Sequence, residues 1–204
     1  NDALKKVDAD IYVLLNSDIE VTENWIKPIV ALMQSNSSIA ACQPKIKSFY
    51  FRNEFEYAGA AGGFIDKLGY PFCRGRLFQT IEEDNGQYDD TCEIFWATGA
   101  CMFVRADVYH KFGGLDEDFF AHMEEIDFCW RVKNAGYKIM YCADSTIYHV
   151  GGGTLPKSSA RKTYLNFRNN LSLLFKNLPS KKLHYVMFLR FILDFIAGVK
   201  FLLN

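Results

Sequence analysis

At 204 residues the chain suits one domain with an appended segment, and with half of its residues hydrophobic and 16% aromatic it is no disordered polymer. The charge is nearly balanced, 23 basic against 24 acidic side chains, which excludes a global nucleic-acid binder. The six cysteines, at 42, 73, 92, 101, 129 and 142, contain no C-x-x-C spacing. That argues against a zinc ribbon or a thioredoxin-like motif and for buried, reduced thiols in a cytosolic compartment.

Asn1 to Asp10 has no signal peptide and no initiating Met, and reads as the tail of a helix feeding a strand. The expectation is a piece of a larger domain. Ala9 to Leu15 is the first predicted strand, and its run Ile11-Tyr12-Val13-Leu14-Leu15 predicts burial on both faces. Asn16, Ser17 and Asp18 follow at its C-terminal end, where open α/β sheets bind ligands. The same three residues equally suit a turn capping the next helix. Thr22 reads as an N-cap, and the spacing of Trp25, Ile26, Ile29, Val30 and Met33 predicts a helix over 24–34 that Pro28 makes begin late. Ile39 to Pro44 is a short second strand.

Ser48 to Asp90, with six glycines, reads as a long irregular segment holding one hairpin. Arg74 and Arg76 flank Gly75 there: either two guanidiniums for a phosphate or sugar acid, or surface arginines of a solvated loop. Glu82, Glu83 and Asp84 read as a solvated acidic turn. Phe95 to Val104 is strand-like but interrupted by Gly99, the kind of glycine that marks a bulge or a close backbone approach to a ligand. Ala106 to Phe112 is a short helix stopped by two glycines.

Glu124 to Ala135 is the clearest helix, with Gly136 at its stop and Asp127 paired to Arg131 at i,i+4. Glu124 and Glu125 fall in its first turn, where the macrodipole favours an ionised carboxylate by about 0.3–1 kcal/mol. Adjacent helical residues point about 100° apart, so one glutamate is expected toward solvent and the other toward a cleft. Two short strands follow, Lys138 to Cys142 and Thr146 to Val150, the second ending at His149 before Gly151-Gly152-Gly153. Ser159 to Asn177 is an amphipathic helix whose expected face is Tyr164, Phe167, Leu171, Leu174 and Phe175. Leu183 to Leu203 is strongly apolar but broken by Arg190, Asp194 and Lys200, which favours an interfacial or docking helix over a membrane span.

Three polar features therefore end apolar elements: Asn16/Asp18, Glu124/Glu125 and His149. A Mg²⁺ or Mn²⁺ ion could use Asp18 and His149 and fill its other positions with phosphate oxygens and water. A glutamate just beyond could deprotonate a hydroxyl. The plain alternatives are a hydrogen-bonded structural histidine, or a zinc site from His122, Cys142 and His149, which lack zinc-like spacing.

Leu14-Leu15-Asn16-Ser17-Asp18-Ile19-Glu20-Val21 resembles the Asp-x-Asp region of family-2 glycosyltransferases, in the Asn-x-Asp form of rhamnosyltransferase-like members. Thr98 to Met102 and Phe112 to Phe120 are similar to that family's acceptor-side segment. Met123-Glu124-Glu125-Ile126-Asp127-Phe128-Cys129-Trp130-Arg131 resembles its Glu-Asp-x-Asp-x-x-x-Arg motif, and His149-Val150-Gly151-Gly152 its closing histidine-glycine motif. The resemblance implies an α/β, GT-A-like three-layer sandwich with a mixed, mainly parallel sheet, truncated at the N-terminus, plus C-terminal helices. Residues 1–155 would be the metal and acceptor part, and 156–204 a helical extension.

By that resemblance Asp18 and His149 hold the metal, and Asn16 lies near the donor. Glu125 stands where the family's base, usually Asp, stands. Gly99, Ala100, Glu124, Asp127, Arg74 and Arg76 fall on the donor and acceptor side. The implied activity is inverting, metal-assisted transfer from a nucleotide-diphospho-sugar to a saccharide or lipid-linked acceptor of the cell envelope, at the inner face of the membrane. The isolated fragment is expected to turn over poorly. A non-catalytic carbohydrate- or partner-binding module on the same fold is the rival reading, as is a nucleotidyltransferase, for which no Gly-rich basic triphosphate loop is evident.

Overall fold

The structure, a computed structural model, describes residues 1–151 and 159–203; the expected Gly152, Gly153 and the boundary at 155/156 lie outside the described residues. In chain order the elements are β1 (Ile11–Leu15), β2 (Ile19–Val21), α1 (Ile26–Ser35), β3 (Ile39–Ser48), β4 (Gly63–Ile65), β5 (Pro71–Cys73), β6 (Arg76–Leu77), β7 (Thr80–Ile81), β8 (Cys92–Ile94), β9 (Cys101–Arg105), α2 (Ala106–Lys111), α3 (Glu124–Asn134), β10 (Lys138–His149), α4 (Ala160–Asn177) and α5 (Ser180–Leu203). A single 3₁₀ turn at Leu4–Lys6 stands where the tail of a helix was expected.

The spine is β3 against β10. β3 runs on past the expected end at Pro44 to Ser48 and is buried along its first eight residues. The two strands predicted around His149 are one, β10, with a register shift between Cys142 and Thr146. The sheet order is β1-β9-β3-β10-β2, with β8 also on β10. It is mixed: its parallel part is the central β3–β10 ladder, and the flanking ladders are antiparallel.

β1 is an edge strand of this sheet, not one buried on both faces. It has a neighbour on one side only, so Val13 and Leu15 are 38% and 45% exposed while Tyr12 is buried. The next helix starts at Ile26, and Thr22 does not cap it; the Thr22 hydroxyl donates to the Thr146 carbonyl at 2.7 Å, binding β2's exit to β10.

Helices cover both faces. α1 packs Ile29 and Met33 onto Ile39, Cys42, Ile46, Phe103 and Ile147. On the other face α2, α3 and α4 bring Val108, Tyr109, Ile126, Phe128, Leu173 and Leu174 against Ala41, Met102, Val104 and Ile139. All six cysteines are free, and five are buried.

The stretch from Ser48 to Asp90 holds two hairpins, β4–β5 and β6–β7, rather than one. Asp84 is not solvated; its buried carboxylate takes Lys45 and Lys47, each at 3.1 Å. The buried face of α4 is also not the expected one. Tyr164 and Phe175 are exposed, and the inward stripe is Leu165, Asn169, Asn170, Leu173, Leu174 and Asn177. Three asparagines on that stripe hide it from a reading based on apolar spacing. No helix among the described residues is long and apolar enough to cross a membrane.

Candidate active site

Three strand ends and one helix start converge. β1 ends at Leu15 and turns through Asn16, Ser17 and Asp18 into β2, not into a helix. The Asn16 N–H donates to the Ala100 carbonyl at 3.0 Å, prolonging the β1–β9 ladder and seating the Gly99-Ala100 turn beside Asn16. β10 ends at His149, paired with Ile19 of β2, and the Val150 N–H donates to the Asp18 carbonyl at 3.1 Å. His149 Nε2 consequently lies 3.2 Å from Asp18 Oδ1 and 3.4 Å from Asn16 Nδ2. On the far side of the turn, a methyl group placed on Gly99 would lie 4.0 Å from Glu125 Cβ and Cδ. Asn16, Asp18, Gly99, Ala100, Glu125 and His149 thus form one contiguous arrangement, with Glu124 next to Glu125.

Two side chains without any motif hold this arrangement. Gln43, fully buried in β3, accepts from the Thr98 N–H at 2.9 Å and donates to the Gly59 carbonyl at 3.0 Å, fixing the turn that carries Gly99. Asn169 on α4 donates its amide to the carbonyls of Phe119, Ala121 and His122 at 2.9, 2.8 and 2.7 Å. Arg168 adds bonds to the carbonyls of Asp118 and Phe119. The loop so gripped is strained: Phe120, His122 and Met123 have φ of 63°, 69° and 75°. Such residues cost on the order of 1–3 kcal/mol each and persist only where the surroundings over-determine them. Here the strain aims α3 so that Glu124 and Glu125 open its first turn.

The electrostatics divide in two. Burial raises the Glu125 carboxyl from an ordinary 4.5 to about 7, the Glu124 charge adds to the rise, and the N–H groups of Glu125, Gly99 and Ile126 draw it back. His149 is pulled down by burial, but the Glu56 and Asp18 carboxylates outweigh that, and its net direction is up. Glu124 Oε2, Glu125 Oε2, His122 Nε2 and His149 Nδ1 are buried without a hydrogen-bond partner among the described residues. Native interiors leave few such atoms, so a cluster of them marks a place for a ligand.

Other candidates are occupied elsewhere. The Asp127 carboxylate is fully buried and takes Asn177 and Arg131, each at 2.8 Å, and Lys176 at 3.1 Å, so it ties α3 to α4 and has no face left for an acceptor hydroxyl. Arg74 is bound to Asp90 at 3.0 Å and to the Ala61 carbonyl, between the rings of Tyr88 and Tyr141. Arg76 lies over the Tyr57 ring, 4.0 Å from its centroid, and donates to the Phe78 carbonyl. The two arginines stack on separate rings instead of forming one anion clamp.

Among the described residues no three His, Cys, Asp or Glu side chains gather as a metal centre. The zinc alternative fails, since Cys142 is packed in the apolar layer under α1. Asp18 and His149 offer one carboxylate and one imidazole. That pair fits Mg²⁺ or Mn²⁺, which take few protein ligands and complete their shells with phosphate and water.

Comparison with known proteins agrees with this architecture. Residues 1–170 match the glycosyltransferase like family 2. The chain is 25% identical over 171 residues to the low-salt glycan biosynthesis hexosyltransferase Agl10 of Haloferax volcanii, covering 82% of this chain and 51% of that protein. It is 33% identical over 88 residues to the N-acetylglucosaminyl-diphospho-decaprenol L-rhamnosyltransferase of Mycobacterium tuberculosis, covering 43% of this chain and 28% of that one. The chain therefore spans about half or less of these relatives. A crystal structure of GalNAc-T7 with UDP, GalNAc and Mn2+ superposes with a TM-score of 0.58 at 14% identity, covering 85% of this chain and 33% of that one, and shares its fold. On the match that runs unbroken from the first residue into α4, and on a sheet and helices arranged as in a GT-A glycosyltransferase, the chain belongs to the glycosyltransferase-like family 2.

Proposed function

We propose that the protein carrying this chain transfers a sugar from a nucleotide-diphosphate donor to a hydroxyl of a saccharide or lipid-linked acceptor, with inversion at the anomeric carbon. The observation that carries this reading is Glu125. Its Oε2 is buried without a partner, its carboxyl is raised to about 7, and it lies beside the Gly99-Ala100 turn to which Asn16 is bonded. A base is most effective with a pKa near the working pH. The names of the hexosyl- and rhamnosyltransferase relatives point to the same reaction class.

In the transfer, the acceptor O–H gives its proton to the Glu125 carboxylate. The oxygen's electron pair forms the bond to the anomeric carbon. The bond from that carbon to the donor phosphate oxygen breaks, and its electrons leave on the nucleotide diphosphate. Attack and departure lie on opposite faces, so a single displacement inverts and needs one carboxylate. Asp18 and His149 would hold Mg²⁺ or Mn²⁺, which when bound neutralises charge on the leaving phosphate. Asn16, with no charge of its own, lies against His149 and would serve as a donor-side hydrogen-bonding group, and Gly99, Ala100 and Glu124 would face donor and acceptor. Sugar transfer and nucleotide release by the full-length protein test this with Glu125→Gln. Parental rates in the variant would overturn it.

The acceptor side is proposed to work at a membrane surface. α5 exposes Tyr185, Phe188, Phe191, Ile192, Phe195 and Ile196, and its one buried ion pair, Arg190–Asp194 at 3.1 Å, faces inward. Lys181 and Lys182 are exposed at its start. An apolar helix face with basic ends suits the interface of an anionic bilayer. Flotation with phosphatidylglycerol vesicles tests this; full-length protein left entirely in the soluble fraction would exclude it.

A further inference from the structure

The carboxylate that the activity above does not use is Glu56. It sits in the irregular stretch after β3, 7% exposed. Its backbone is strapped to β3, where Glu56 N donates to the Ile46 carbonyl at 3.0 Å, and its neighbour Phe55 is buried. One oxygen, Oε2, accepts from the Ala58 N–H at 2.5 Å. The other, Oε1, lies 3.6 Å from His149 Nδ1, the ring nitrogen left without a hydrogen bond. Among the described residues His149 is the one cationic group within ion-pair distance of Glu56. The chain beyond His149 also closes over this carboxylate. Gly151 has φ of +69°, and a Cβ there would come within 3.0 Å of Glu56 Oε1. Burying a carboxylate is costly unless something charged or hydrogen-bonding meets it, and here the available partner is one imidazole edge.

We propose that Glu56 is a positioning residue for His149: when a cation takes Nε2 in place of the proton shared with Asp18, the ring proton stands on Nδ1, and Glu56 is the carboxylate that faces it there. A neutral imidazole carries one proton, and which nitrogen holds it is set by the partner of the other. Carboxylates behind metal-binding histidines commonly do this, and losing one costs about 10–100-fold in metal affinity. The inference rests on the metal reading of Asp18 and His149 and adds a third residue to it.

Two measurements on the full-length protein decide it. The first is the Nδ1–H signal of ¹⁵N-labelled histidine in protein saturated with Mg²⁺, a diamagnetic ion. The parent is expected to show an Nδ1 proton moved downfield by its carboxylate acceptor, and Glu56→Ala to lose that shift. The second is Mn²⁺ binding followed by the free-ion EPR signal. Glu56→Ala is expected to weaken binding 10–100-fold, and the isosteric Glu56→Gln, which keeps the volume of the site, about tenfold. An unchanged Nδ1–H signal in Mg²⁺-loaded Glu56→Ala, or parental Mn²⁺ affinity in both Glu56 variants while Asp18→Ala loses the ion, overturns the role of Glu56 alone. A parent protein that takes up no Mn²⁺, or an Asp18→Ala variant that binds it as tightly as the parent, overturns the metal reading and the inference with it.

Discussion

The two acidic ends of the site are built in opposite ways. Around His149 the carboxylates of Asp18 and Glu56 meet an imidazole at 3.2 and 3.6 Å, a site that either a ring proton or a cation on Nε2 makes positive. At the start of α3, Glu124 and Glu125 stand side by side with no cation paired to either among the described residues, and each keeps a buried oxygen without a partner. A compensated cluster holds its charge state and suits a bound ion. An uncompensated like-charged pair gives up a proton with difficulty and takes one up readily. In the proposed transfer this difference suits ion binding at one end and proton transfer at the other. It also explains why the Asp18 side arises from strand ends, which fix backbone position, while the glutamates ride on a helix aimed by a strained loop.

The largest test removes the proton acceptor. Glu125→Gln is expected to lower kcat by about 10²–10⁴-fold with donor KM little changed. The same variant has a stability signature. The folded protein keeps a proton on Glu125 up to a pH of about 7, whereas the unfolded chain releases it near 4.5. Stability is therefore complete below 4.5 and is lost as pH rises toward 7. Glu125→Gln escapes that loss, so in urea melts it should gain about 3 kcal/mol over the parent at pH 8 and little from this source at pH 4.5. An equal difference at both pH values would break the contrast between the two ends.

How much of this was legible in the residues follows the same division. Asp18, Glu125 and His149 stand at ends of apolar runs; α3 begins at Glu124 as expected, and β10 ends at His149, though as one strand where two were expected. The partners that position them were not legible. Glu56 lies in an irregular stretch with no period to read, and Gln43 in a strand where a polar residue looks like a break. Asn169 and Asn170 diluted the apolar stripe of α4, although two asparagines mid-helix are a signal, since the residue is a poor helix former there unless its side chain is used. The edge position of β1 was invisible for another reason. An apolar run reports what a strand could bury, not whether a neighbour is present.

The next test loosens the glutamate end and leaves the His149 end alone. Asn169 spends its amide on three carbonyls of the loop before α3. Asn169→Ala takes this donor from the Ala121 and His122 carbonyls, while Phe119 keeps its bond from Arg168, and is expected to cost about 1–3 kcal/mol of stability in chemical denaturation. If the clamp aims Glu125, kcat should fall about tenfold at a temperature where the variant is fully folded, with Mn²⁺ affinity unchanged. Loss of stability alone, at parental kcat, would reduce Asn169 to a packing residue.

A smaller effect separates the two reasons for the raised Glu125 pKa. Glu124→Gln removes the neighbouring charge and leaves the burial. The activity of the parent should rise with pH through about 7 as the base ionises and then level. In Glu124→Gln that rise is expected to move toward acid by about half a unit to one unit, since burial is the larger of the two causes. A shift of the whole distance back to 4.5 would make the like charge the dominant cause and the pair, not the pocket, the device.

The smallest effect concerns the bare backbone between the two ends. The sequence pattern gives Gly99 either to a bulge or to the close approach of a ligand. A Cβ there would meet Glu125 at 4.0 Å, an ordinary contact, and Gly99 is not among the glycines held at positive φ. Gly99→Ala is therefore expected to change stability by less than about 0.5 kcal/mol. If the absent side chain serves folding, activity should be equally untouched. If it leaves room for the sugar passing from the Asp18 side to Glu125, KM for donor or acceptor should rise several-fold at parental stability. That outcome would place the transferred group over Gly99, between the ion-binding end and the base.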